Sequence, residues 1–230
     1  MIEAPSPNHG PRRGGAAPDL VVLHHTAMDS AEAALARLRD PAAEVSAHWL
    51  IAEDGRSWRL VDETRRAWHA GAGAWGDCAD VNSRSIGVEL ANPGDAPFPE
   101  PQMAALEALL RPILARWPIP PERVIGHACM APGRKADPSR RFDWRRLARA
   151  GLAIWAEPVR DPAPADPAPF RAAARRFGYP LGPGEGWDAE ARAVAAAFRL
   201  RFRPSDDADG PLDAGGLAQL QALAARWPAR

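Results

Sequence analysis

The stretch Asp19-Leu20-Val21-Val22-Leu23-His24 governs the reading of the whole chain. Its apolar residues are consecutive rather than alternating. A short run of this kind belongs to a strand buried on both faces, as in a sheet covered by helices. Other segments match that expectation. His48 to Ala52 and Ser57 to Val61 flank Asp54-Gly55, a dipeptide suited to a hairpin turn. Ser85-Ile86-Gly87-Val88-Glu89-Leu90 places Ile86, Val88 and Leu90 on one face and Gly87 and Glu89 on the other. Arg123-Val124-Ile125-Gly126-His127 reads as one more short strand.

Helices fill the intervals. Ser30 is placed to cap Ala31 to Arg39, which stops before Pro41. Over 100–116, Met103, Leu106, Leu110, Ile113, Leu114 and Trp117 recur at helical spacing, with Pro112 expected to kink or weaken the middle. Asp143 to Ala150 is a third candidate. Strands separated by helices predict an α/β (α+β) fold, a mixed central β-sheet flanked by helices.

Residues 156–169 hold five prolines in fourteen positions, which excludes helix or central strand and suggests a semi-rigid linker. It would divide a domain over 1–155 from a smaller one over 170–230. The smaller part reads as three helices. Phe170, Ala173, Ala174 and Phe177 mark the first, ended at Gly178. Ala191, Val194, Ala195, Phe198 and Phe202 mark the second, stopped by Pro204. Leu217, Leu220, Ala224 and Trp227 mark the third. A core built from so few residues is marginal by itself.

Formal charge is balanced, 29 basic against 29 acidic residues, so the chain lacks the electrostatic footprint of a nucleic-acid binder. No run approaches the length of a spanning helix. The N-terminus has no apolar core segment of a secretory leader, so cytoplasmic placement is the default expectation. Two cysteines, Cys78 and Cys129, are too few for a disulfide scaffold, and their pairing is open. Lys135 is the only lysine among the 29 basic residues. Where arginine replaces lysine so thoroughly, the surviving lysine either reflects chance or sits where a compact ammonium is required.

Three side chains form a candidate metal site. His24 ends the first buried strand, His127 ends a later one, and Asp137 follows His127 beyond Pro132-Gly133. Pro138 biases Asp137 toward an extended backbone. Two histidines and a carboxylate leave a position for water, the layout of a catalytic rather than a structural zinc. Glu89 is the candidate general base, and Lys135, two residues before Asp137, a candidate oxyanion stabiliser. Each residue also has a plain role open to it: a hydrogen-bonded strand histidine, an ion pair with arginine, a turn aspartate. His48, Trp68, His69 and Asn92 are candidate substrate contacts, with Trp68 equally suited to the core. His25 should face away from His24 and reads as structural. Cys129 lacks a neighbouring second cysteine and ranks below Asp137 as a ligand.

The segments Val22-Leu23-His24-His25-Thr26-Ala27, Ser46-Ala47-His48-Trp49-Leu50-Ile51, Ala67-Trp68-His69-Ala70-Gly71, Ser85 to Leu90, Ile125-Gly126-His127 and Pro132-Gly133-Arg134-Lys135-Ala136-Asp137-Pro138 occur in that order. Together they resemble the type-2 zinc N-acetylmuramoyl-L-alanine amidases, over roughly residues 15–150. The resemblance implies Zn2+ on His24, His127 and Asp137, acid/base work by Glu89, oxyanion stabilisation by Lys135, and peptidoglycan or muropeptide as substrate. His25 departs from the aromatic common at its position. Phe177-Gly178-Tyr179, Ala197-Phe198 and Phe202-Arg203-Pro204 look like the small helical peptidoglycan-binding module appended to some of these enzymes. Such a tail suits the periplasm, against the cytoplasmic default. A non-cutting peptidoglycan-recognition module is the alternative function, and oligomeric state is open.

Overall fold

The computed structural model describes residues 1–206 and 209–229. The strands are β1 (Ile2–Glu3), β2 (His9–Pro11), β3 (Leu20–His25), β4 (Trp49–Ile51), β5 (Ser57–Arg59), β6 (Arg65–Ala67), β7 (Ser85–Leu90) and β8 (Val124–Gly126). The helices are α1 (Ala31–Arg39), α2 (Val81–Arg84), α3 (Glu100–Arg116), α4 (His127–Met130), α5 (Trp144–Arg149), α6 (Pro167–Phe177), α7 (Ala189–Phe202) and α8 (Ala214–Arg226). They form two compact units. The first comprises Met1–Gly71, Asp80–His127 and Asp137–Ile154. The second comprises Ala72–Ala79, Ala128–Ala136 and the chain from Trp155 onward.

The first unit is built on a mixed six-stranded sheet in the order β1-β5-β4-β7-β3-β8. β4, β7, β3 and β8 run parallel, and β4 pairs antiparallel with β5 through the Asp54-Gly55 turn. Leu20 to Leu23 are wholly buried, as the consecutive apolar run requires. The Ser30 side chain accepts from Ala33 N–H and caps α1, as expected. α1 and α3 both pack on β4. Gln102 of α3 is buried and donates to the carbonyls of Ile51 and Ala91, tying the helix to the ends of β4 and β7. β1, β2, β6 and α2 are too short to have carried a periodic signal. His127 does not end a strand: it opens the single turn of α4 directly after β8.

Arg12 locks the N-terminal segment to this unit. Its guanidinium is buried and donates to the carbonyls of Glu63, Asn82, Ser83 and Ser85. Burial lowers its pKa to about 10, so it stays charged near neutrality.

In the second unit α6, α7 and α8 each start at an aspartate, Asp166, Asp188 and Asp213, whose side chain accepts from the first turn. Phe170, Phe177, Tyr179, Phe198 and Phe202 are buried together with Trp75. Gly178 ends α6 at φ +122°, and a Cβ there would lie 2.7 Å from the Trp75 ring. The proline-rich segment differs from a free spacer. Its carbonyls at Ala156, Val159, Asp161 and Ala163 accept from Gln219, Arg203, Gly215 and Ala214, which straps it to α8 and to the residue after α7. Proline removes donors but leaves every carbonyl able to accept. α6 accordingly begins at Pro167, inside that stretch. Cys78 and Cys129 are both buried and neither forms a disulfide.

Candidate metal centre and active site

The chemistry sits at the carboxyl ends of the parallel strands, where open α/β sheets bind their ligands. His24 and Glu89 are register partners on β3 and β7, so their side chains leave the same face of the sheet. His127 follows β8 immediately. A Cβ on Gly126 would come within 2.8 Å of Pro138 and 3.3 Å of the Asp137 carbonyl oxygen. Glycine there admits the Asp137-Pro138 segment against the strand and brings Asp137 beside His127.

The three predicted ligands meet. His24 Nδ1, His127 Nδ1 and Asp137 Oδ2 lie 3.0 Å from one another, and all three residues are buried. Which ring nitrogens carry protons follows from the outer partners. The Ser85 hydroxyl donates to the Val81 carbonyl, so its oxygen accepts from His69 Nε2–H at 3.2 Å. His69 Nδ1 is then an acceptor, and His24 donates to it through Nε2–H at 3.0 Å. His127 donates through Nε2–H to the Ala70 carbonyl at 2.8 Å. Both Nδ1 atoms are left with lone pairs directed at a carboxylate oxygen. Three lone-pair atoms so close together repel unless a cation sits among them. Donor atoms 3.0 Å apart leave room for an ion about 2.0–2.1 Å from each, the usual zinc distance, so the donor set and spacing would fit.

Without a metal, burial raises the Asp137 carboxyl, but hydrogen bonds from His127 and His24 outweigh this and hold it far below the usual range. Those bonds need a proton on an Nδ1 atom. Proton and metal therefore compete for the same place.

The other candidates separate clearly. His48 is fully buried. Its Nδ1 accepts from Gly87 N–H at 3.0 Å and its Nε2–H donates to the Arg65 carbonyl at 3.1 Å. The Arg12 guanidinium 3.2 Å from Nε2 is thus a close contact between two donors. Burial, above all, lowers the His48 pKa to about 3. It braces β4 against β7 and offers no atom to a substrate. Asn92 is 2% exposed; its Oδ1 accepts from Gly94 N–H and its amide donates to the Ala96 carbonyl, so it holds the loop after β7. His69 spends both ring nitrogens on His24 and Ser85, which leaves neither for a hydrogen bond to a substrate. Burial, then the charge of neighbouring His24, pushes its pKa well below the ordinary value. Trp68 is half-buried, with its backbone held by Ser46. The His25 ring lies against Gly94 rather than with the ligands. Lys135 is exposed, and its amide donates to the Ala131 carbonyl.

Sequence reasoning missed what surrounds the three candidate ligands: the Ala70 carbonyl, Ser85, and Asn82, whose Oδ1 accepts from both His69 N–H and Ala70 N–H. One signal was present. Gly87 stands inside a strand, and such a glycine often marks a close approach; here the His69 ring would lie 2.5 Å from its Cβ.

A mixed sheet that brings together a histidine of β3, a histidine directly after β8 and a loop carboxylate, with a glutamate on the same face as the first, defines the class as an α/β protein with a candidate cation site. The family model for N-acetylmuramoyl-L-alanine amidase matches residues 14–140, and the chain belongs to that family. It is 36% identical over 233 residues to the N-acetylmuramoyl-L-alanine amidase AmiD of Escherichia coli (strain K12), across 90% of this chain and 83% of that one. It is 33% identical to the 1,6-anhydro-N-acetylmuramyl-L-alanine amidase AmpD of Salmonella typhimurium (strain SL1344), over 67% of this chain and 92% of that one. The solved complex of E. coli AmiD with anhydro-N-acetylmuramic acid-L-Ala-D-gamma-Glu-L-Lys superimposes with a TM-score of 0.84, covering 95% of this chain and 91% of that one. The complex of AMPDH3 from Pseudomonas aeruginosa with anhydromuramic pentapeptide gives 0.79 at 32% identity, covering 92% and 93%.

Proposed function

We propose that the protein is a zinc-dependent N-acetylmuramoyl-L-alanine amidase. It hydrolyses the amide between the lactyl group of N-acetylmuramic acid, or of its anhydro form, and L-alanine. The observation that carries this reading is the convergence of three lone-pair atoms, their protons assigned by outer partners, beside a glutamate on the same sheet face. His24, His127 and Asp137 hold the zinc. When bound, it supplies Lewis-acid polarisation of the scissile carbonyl and a water acidified to a pKa of about 7.

Glu89 receives the proton of the attacking water and passes it to the leaving amine of L-alanine. Lys135, two residues ahead of Asp137 along the chain, offsets the negative charge that develops on the carbonyl oxygen. Its ammonium is a compact point charge that a planar guanidinium does not replace. The three-helix segment helps to hold wall fragments. The relatives crystallised with anhydromuramyl peptides support a muropeptide substrate for this chain.

The test is mass spectrometry of anhydro-muropeptide and of intact peptidoglycan after incubation with zinc-loaded protein. Release of free stem peptide beginning with L-alanine is expected. Faster cleavage of the soluble fragment points to recycling in the cytoplasm; faster cleavage of intact wall points to the periplasm. No cleavage of either by protein that contains zinc overturns the amidase reading in favour of recognition without catalysis.

A further inference from the structure

The two metal-binding histidines lie on different elements, yet one short loop touches both. The His69 ring takes the Nε2–H of His24, and the next carbonyl, Ala70, takes the Nε2–H of His127. The loop is clamped on both sides of these contacts. Ser46 Oγ accepts from Trp68 N–H at 2.9 Å. Asn82 Oδ1 accepts from His69 N–H at 3.0 Å and Ala70 N–H at 2.9 Å. Asn82 is itself 7% exposed and belongs to α2, the turn that leads into β7. The His69 ring is further wedged on Gly87, where the absent Cβ leaves its space.

We propose that the Trp68-to-Ala70 loop, clamped by Asn82, is the device that presents both imidazoles to the metal through Nδ1, with His69 and Asn82 as positioning residues. Resting on the metal reading above, this assigns a role to residues that touch neither metal nor substrate. An imidazole binds metal through whichever nitrogen lacks a proton, and the partner of the other nitrogen decides which that is. Here both decisions come from adjacent residues of one loop. A single side-chain oxygen, Asn82 Oδ1, holds the backbone of both. If the loop shifts, both rings lose their outer partner together. A residue serving only the core would not couple in this way to the two ligands.

The experiment measures zinc affinity by competition with a chromophoric chelator, and the visible spectrum of the cobalt-substituted protein, for wild type, His69→Ala, Asn82→Ala and Asn82→Asp. Nitrogen-15 spectra of the histidine rings report the tautomer of His24 and His127. His69→Ala and Asn82→Ala are expected to lose about 10–100-fold in zinc affinity, the usual cost of an outer partner, and to alter the cobalt spectrum. Asn82→Asp keeps an acceptor for both amides and is expected to restore wild-type affinity and spectrum, which a general packing defect would not allow. Wild-type affinity and unchanged tautomers in folded His69→Ala and Asn82→Ala overturn the proposal alone. If Asn82→Ala does not fold, loss of affinity in folded Asn82→Asp overturns the clamp. A wild-type protein that takes up neither zinc nor cobalt overturns the metal reading and this proposal with it.

Discussion

Gly87→Ala tests the geometry around the candidate metal site without removing any polar group. A Cβ at this position would stand 2.5 Å from His69 Cγ, 2.6 Å from Cδ2 and 2.7 Å from Nδ1. Carbon atoms settle at about 3.5–4.0 Å, so the ring must retreat by about 1 Å. Rotation of the ring gives no relief, because Cγ is its point of attachment. Nor can the strand give way: Gly87 N–H is bound to His48 Nδ1 and its carbonyl to His48 N–H. The 3.0 Å bond between His69 Nδ1 and His24 Nε2 therefore lengthens beyond hydrogen-bond range or drags His24 off the metal. Either way the expected loss of zinc affinity is about 10–100-fold, or about 1.4–2.8 kcal/mol. Overpacking adds a fold cost of about 1–3 kcal/mol, which melts of the metal-free protein report separately. Chelator competition at a temperature where circular dichroism shows the variant folded is the assay. Zinc affinity within about threefold of wild type, where loss of an outer partner costs tenfold or more, would refute the reasoning.

Glu89→Gln should keep its zinc, measured by metal analysis, and lose about 10²–10⁴-fold in turnover; retained turnover removes Glu89 from proton transfer. Removal of zinc by chelation should lower the unfolding midpoint, because the metal binds only the folded arrangement. At a thousandfold excess over its dissociation constant zinc contributes about 4 kcal/mol, or about 8–16 °C for a chain this size, read by calorimetry. Zinc affinity should also weaken as pH falls, since protons compete for the same lone pairs, and pH-independent affinity would contradict the assignment. His48 has a folded pKa of about 3 against about 6.5 unfolded, so between these values the unfolded chain binds the extra proton. Stability should therefore fall on acidification by about 1.4 kcal/mol per pH unit below about 6.5 from this residue alone. Urea melts of metal-free wild type and His48→Asn at pH 7 and 5 read the difference, and parallel pH profiles would refute it.

Residue patterns along the chain were enough for the elements whose burial is locally encoded. The consecutive apolar run of β3, the alternation of β7 and the helical spacing of α3 each record which faces lose water, and the three aspartate-capped helices follow the same logic. Hydrophobic burial repeats with the geometry of an element, so it can be read one element at a time. The convergence of His24, His127 and Asp137 was legible too, because the carboxyl side of the parallel strands and a loop before proline constrain where such residues can go. What surrounds them was not. His48 and Asn92 looked like cleft residues because a polar side chain beside a motif looks the same whether it faces a substrate or a backbone amide. His69 became a support for His24 only when β3, β7 and the loop after β6 were brought together, and Asn82 carried no signal at all. The proline-rich segment followed the same rule. Its prolines disfavour a helix interior, yet its last residues open α6, and whether its carbonyls meet water or the donors of Arg203 and α8 depends on packing. Hydrogen-bond partners distant in sequence are chosen by the assembled fold. The nature of each element is therefore written locally, and the protonation and aim of each site residue is decided only in three dimensions.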